Sequence, residues 1–184
     1  MYILDTCVLS NLRLKFPDQN ITEWISQEEE ALALTPASVF EIQRGITLIQ
    51  ESVPQKAREL EEWLDDLLAQ GLPYLEMNEK VARLHACMTC TPALKNLWLN
   101  GPNTKSPSLK QDLVIAATAI VYGATIATMN TKDFLCIHNH YQLPGLYNPQ
   151  KRQWSIHPLY SESKKTRPEG RQGFWEQKTP KLGP

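Results

Sequence analysis

A chain of 184 residues is the size of one ordinary domain whose core can bury most of its apolar side chains, which excludes two full domains. Hydrophobic residues at 42% and charged ones at 21% exclude global disorder, and a formal net charge of -1 argues against plain electrostatic binding of nucleic acid, which wants a basic excess. The charge is uneven: from Ser161 onward six Lys/Arg stand against three Asp/Glu, a tail of +3 behind a body of -4, and an acidic body suits carboxylates that hold cations.

The start, Met1-Tyr2-Ile3-Leu4 followed at once by Asp5, carries neither a basic leader nor a long apolar stretch. A cytoplasmic protein without a membrane span is expected. Residues 2–5 read as a short buried strand that stops at Asp5, Thr6 and Ser10, where the chain turns into a helix. Residues 31–35 predict a second strand, and Pro36 then opens a helix through Phe40, Glu41 and Ile42 toward Gly45. From Pro54 to Gln70, Ala57, Leu60, Leu64, Leu67 and Leu68 recur at three and four, an amphipathic helix stopped by Gly71.

Leu72–Leu75 reads as a third strand, followed by a helix from about Asn78. The segment 91–106, with two prolines, a glycine and several asparagines, reads as irregular. The run Leu113–Tyr122 is apolar around most of a helix and ends at Gly123, so it should pack on a sheet. Residues 125–128 predict a fourth strand, with Asn130–Phe134 on the loop at its carboxyl end. Strands alternating with helices predict an α/β fold with a parallel, helix-covered sheet. The last 24 residues read as a flexible tail from about 161.

Four acids carry the chemistry. In a parallel sheet, ligands bind at the carboxyl edge near the point where strand order reverses. Asp5 and Asp133 fall at such strand ends, and Glu41 and Asp112 fall in the first turns of helices that leave the same edge. Acids this close repel and need a counter-ion, and a hard divalent cation, Mg²⁺ or Mn²⁺, takes carboxylate oxygens. One ion or two of this kind would support phosphodiester hydrolysis.

The residues 3–10 (Ile-Leu-Asp-Thr-Cys-Val-Leu-Ser), 38–45 (Ser-Val-Phe-Glu-Ile-Gln-Arg-Gly), 112–119 (Asp-Leu-Val-Ile-Ala-Ala-Thr-Ala) and 128–134 (Thr-Met-Asn-Thr-Lys-Asp-Phe) resemble, in order, the four acidic motifs of VapC-type PIN domains. The resemblance spans about residues 1–150, including Pro144–Pro149. It implies a PIN-like three-layer α/β/α sandwich with a central parallel sheet of four or five strands, residues 151–184 being a C-terminal extension. It implies an Mg²⁺- or Mn²⁺-dependent endoribonuclease acting as the toxin of a toxin-antitoxin pair, with RNA as substrate, a VapB-like antitoxin as partner and commonly a homodimer. By the same resemblance Asp5, Asp112 and Asp133 are the metal ligands. Glu41 helps hold water or a second ion, while Thr6, Thr128 and Asn130 fix carboxylates or substrate. Ser10, Arg44 and Lys132 join as supporting or substrate-binding residues. The segment 91–106 and the stretch after Tyr160 exceed the compact family pattern.

Each residue also admits a plainer role. Asp5 and Asp133 suit turns or helix caps, Glu41 can pair with Arg44 one turn on, and Asp112 suits a first helical turn. Arg44 and Lys132 suit RNA phosphate or simple solvation. The four cysteines read as reduced, mostly buried thiols. Cys87 and Cys90, with His85, Cys136, His138 and His140, raise a zinc reading that lacks a second Cys-x-x-Cys pair. Among other functions, a haloacid-dehalogenase-like phosphotransferase wants a second Asp two residues after the first, where Cys7 stands. A flap-type DNA nuclease wants further acids and a DNA-binding helical element. A catalytically weak PIN-like module that binds RNA or a partner is the remaining alternative.

Overall fold

The computed structural model describes residues 1–28, 31–99 and 110–158. Its centre is a five-stranded sheet in the order β2-β1-β3-β4-β5. The strands are β1 (Tyr2–Leu4), β2 (Leu32–Ala33), β3 (Thr125–Ala127), β4 (Leu146–Asn148) and β5 (Gln153–Ile156). The first four run parallel, and β5 returns antiparallel to β4, so the sheet continues past residue 150.

Alternation along each strand builds the three layers. Ile3 lies level with Ala33 and Ile126, and Ile126 with Leu146. All four enter one core, covered by α5 (Glu79–Thr89), a short 3-10 helix (Pro92–Leu97), α6 (Asp112–Tyr122) and α7 (Thr131–His138). Neighbouring positions point the other way. Leu4, Leu32 and Ala127 enter the second core with α1 (Thr6–Asn11), α2 (Gln19–Glu28), α3 (Pro36–Ile49) and α4 (Pro54–Leu68). The expected α/β/α sandwich is therefore present.

The helices follow their sequence signals with four differences. α3 runs through Gly45 to Ile49 rather than ending there, since Ile42 and Ile46 on its buried face continue the packing. Leu72–Leu75 is no strand of the sheet but a single parallel bridge of Tyr74 to Leu34, made by Leu34 N–H to Pro73 O (2.9 Å) and Leu75 N–H to Leu34 O (2.8 Å). Residues 131–134 are the first turn of α7, not loop, because Phe134 and Ile137 find the core. The fourth is α2, whose buried Ile21, Trp24 and Ile25 recur at three and four, a periodicity the sequence reading passed over.

Part of the irregular segment, Pro92–Leu97, is a 3-10 helix with Leu94 and Leu97 buried. Its remainder through residue 106 lies outside the described residues except for Thr91, Trp98 and Leu99, as does the tail expected to be flexible.

Helix α6 shows how the fold presents the site. Leu113–Ala119 are all buried, and Gly123, at φ 66, ends the helix in a left-handed turn with Ala124 N–H donating to Ala119 O (2.9 Å). The chain then enters β3 directly, so α6 runs against β3 and must begin at the sheet edge where β3 ends. Asp112 is its first residue.

Candidate functional site

Strand β1 lies between β2, its successor along the chain, and β3, which belongs to the other half of the sheet. Strand order therefore reverses at the β1/β3 pair, and the carboxyl edge there is where an open α/β sheet leaves a crevice. Asp5 follows β1, and Thr128, Met129 and Asn130 follow β3.

Asp5 occupies the N-cap position of α1, yet its side chain makes no cap hydrogen bond. Its Oδ2 instead accepts the Thr128 hydroxyl at 2.6 Å and the Cys7 thiol at 3.1 Å. Both donors are themselves fixed by backbone: Asn130 N–H donates to Thr128 Oγ1 (2.9 Å) and Met129 N–H to Cys7 Sγ (3.3 Å). A residue serving only as a cap would not need this bracing. Burial raises the Asp5 pKa against the opposing pull of Thr128, Cys7 and the Thr6 amide. The Cys7 thiol is pushed up to about 12 by burial and then by the neighbouring Asp5, so it stays protonated and donates.

Glu41 stands in the second turn of α3, not the first, and α3 is tied to β1 three residues earlier. Ser38 Oγ donates to Leu4 O at 2.8 Å, while Thr35 caps the helix by accepting Ser38 N–H at 3.3 Å. That anchorage turns Glu41 toward the start of α6, where its Oε1 accepts Gln111 N–H at 3.2 Å. Burial raises the Glu41 pKa, and Asp5 raises it further. Thr6, Gln111 and Arg44 pull it down, Thr6 most and Arg44 least, which makes a bare Glu41–Arg44 pair the lesser part of its surroundings.

Asp112 feels the whole group. Its pKa rises from 3.8 to about 7, first through burial and then through Asp5, Asp133 and Glu41, with only Lys110 opposing. Asp133 lies in the first turn of α7 and accepts Asn130 Nδ2 at 2.9 Å, with Lys110 Nζ 4.0 Å from the same Oδ2. The four predicted acids thus come together from four separate elements, accompanied by Thr6, Thr128 and Asn130. Arg44 is half-buried beside Glu41, Ser10 is exposed one turn beyond Thr6, and Lys132 is exposed on α7. Consecutive helical residues do not share a face, so the cation that reaches Asp133 is Lys110 rather than Lys132.

The donor set suits a hard cation, being carboxylate and hydroxyl oxygen. Thr6 Oγ1 adds a specific sign: it is buried beside Glu41 without a well-formed hydrogen bond, although it lies near enough to favour the ionised carboxylate. A polar atom in that state calls for an ion or its water. Among the described residues, no three His, Cys, Asp or Glu side chains already form a metal cage. The acids are near enough that Asp5, Asp133 and Glu41 each disfavour the ionised form of Asp112.

Sequence reasoning passed over Cys7, Gln111 and Lys110. Cys7 stood inside the first motif, two residues after Asp5, with no role assigned to it. Lys110 and Gln111 were marked only by preceding Asp112. The expectation of mostly buried cysteines is corrected: all four are free thiols, Cys7 and Cys136 are half-buried, and Cys87 and Cys90 are exposed. α5 turns Val81, Leu84 and Met88 toward the core, which sends Cys87 to the outer face.

No family model matches the chain. The plasmid stability protein StbB of Pseudomonas syringae pv. tomato is 32% identical over 137 residues, covering 73% of this chain and 91% of that protein. The chain belongs to the StbB family of plasmid stability proteins. A chain of FitAcB from Neisseria gonorrhoeae shares the fold, with a TM-score of 0.57 and 24% identity over 81% of the StbB-family chain and 98% of its own length. So does a chain of VapBC2 from Rickettsia felis, solved bound to a DNA fragment from their promoter, with a TM-score of 0.58 and 23% identity over 80% and 97%. These structural neighbours come from two-component complexes, and their likeness concerns the fold. No helix among the described residues is long and apolar enough to cross a membrane.

Proposed function

We propose that this StbB-family chain is a divalent-metal-dependent endoribonuclease of the PIN type and the toxin of a toxin-antitoxin pair. One observation carries the reading: Asp5, Glu41, Asp112 and Asp133 are brought together from four elements, Glu41 on the Gln111 amide beside Asp112, Asp5 on Thr128 at the end of β3 and Asp133 on Asn130 two residues beyond it. Acids gathered in this way, at the switch point of a parallel sheet, are explained by a cation that relieves the repulsion. The fold shared with chains of FitAcB and VapBC2, and the family's link to plasmid stability, support a two-component role with a VapB-like antitoxin as partner. A homodimer and a cytoplasmic setting belong to the same reading.

Asp5, Asp112 and Asp133 would hold Mg²⁺ or Mn²⁺, with Thr6 reaching the ion or its water. A divalent ion there supplies Lewis acidity and charge neutralisation to an RNA phosphodiester. Thr128 and Cys7 keep one oxygen of Asp5 engaged and thereby aim the other. The Gln111 amide holds Glu41 Oε1, and the raised pKa of that carboxyl suits it to take a proton from an attacking water. Asn130 orients Asp133 and so couples the start of α7 to the strand end that carries Thr128.

The test is cleavage of RNA by purified protein with Mg²⁺ or Mn²⁺, which should stop on adding chelator and fall by a factor of about a hundred or more in Asp5→Asn and Asp112→Asn. Full cleavage by either variant would remove the metal-site reading. No cleavage and no Mn²⁺ binding by the wild-type chain would favour a module that binds RNA or a partner without turnover.

A further inference from the structure

Lys110 is the residue immediately before the backbone amide that holds Glu41 and two before Asp112, and its ammonium lies beside Asp133. Its Nζ lies 4.0 Å from Asp133 Oδ2, on the oxygen that also accepts Asn130 Nδ2, and its side chain keeps 39% of its surface open to solvent. As a surface ion pair this would count for little. Its position beside Asp133 and two residues before Asp112 gives it another task.

We propose that Lys110 is a built-in counter-cation of the acidic site, holding Asp133 and offsetting its charge until a divalent ion displaces the ammonium, and so setting the ion concentration at which the site fills. The inference rests on the metal-site reading above. Standing 4.0 Å from Asp133 Oδ2 and two residues before Asp112, Lys110 brings its positive charge to two of the three intended metal ligands. A flexible four-carbon stem lets the ammonium swing out to water at small cost, because the head is already partly hydrated. Ammonium and divalent ion cannot both occupy the space beside Asp133 Oδ2, so each should weaken the other.

Titration calorimetry of the full chain with MnCl₂ tests the idea without any measurement of activity. Lys110→Met keeps length and removes charge, and should bind Mn²⁺ roughly five- to tenfold more tightly than wild type, the range given by one unit charge near 4 Å in a well-solvated setting. Lys110→Arg retains the charge and should stay close to wild type. Mn²⁺ binding by Lys110→Met with none detectable in wild type would be the strongest form of the same result. Equal or weaker binding in Lys110→Met, with wild type binding normally, would overturn the counter-cation and leave the metal site standing. Absence of Mn²⁺ binding in wild type and both variants would overturn both together, and Asp112→Asn supplies the baseline for that outcome.

Discussion

Replacing Asp112 by Asn should stabilise the metal-free protein at neutral pH, an unusual result for a buried polar residue. Asp112 is raised from 3.8 to about 7 in the fold, so the native state binds its proton more tightly than the unfolded chain does. Its contribution to stability is fully present below about pH 4 and lost as pH climbs through 7, reaching at most about 4 kcal/mol. Asn abolishes the titration but must still be desolvated, so a net gain of about 2 kcal/mol at pH 8 is the realistic expectation. For a chain of this size that is a rise in melting temperature of about 4–8 °C. The assay is thermal unfolding in chelator at half-unit steps from pH 4.5 to 8, wild type against variant. The gap should widen as pH rises, while Asp5 and Glu41, also raised, leave the variant a shallower slope of the same sign. A variant less stable than wild type at pH 8, or a gap independent of pH, would refute the repulsion argument.

Further outcomes are expected in the same protein. Thr128→Val removes a buried donor to Asp5 and the acceptor of Asn130 N–H, and should cost about 1–3 kcal/mol in urea unfolding. The two glycines 45 and 145 should respond in opposite directions. Ala at 45 meets nothing within 4 Å on an α3 position and should add about 0.5–1 kcal/mol. At 145 a Cβ would stand 2.5 Å from Thr125 Oγ1 and 3.2 Å from that residue's Cβ and Cγ2, and denaturant melts should show a loss of about 1–3 kcal/mol.

Local pattern carried much of this protein. The unbroken apolar run of α6, ended by Gly123, pointed to a helix buried on a sheet, with Asp112 near its start. The run Tyr2–Leu4 stopping at Asp5 marked a strand end, and Pro36 behind Thr35 marked the start of α3, because these signals act between residues a few positions apart. Tertiary structure alone decided the rest. Whether Leu72–Leu75 joined the sheet depended on a partner forty residues away, and only one bridge to Leu34 formed. The bracing of Asp5 by Cys7 and Thr128 joins residues over 120 positions apart, as does the tie of Arg152 to Glu23 that clamps the β4–β5 turn. Lys110 could be seen to face Asp133 only once α6 and α7 had been laid side by side on the sheet. Short-range periodicity can name an element and the acid at its tip, but the distances between tips belong to the packing of the whole chain.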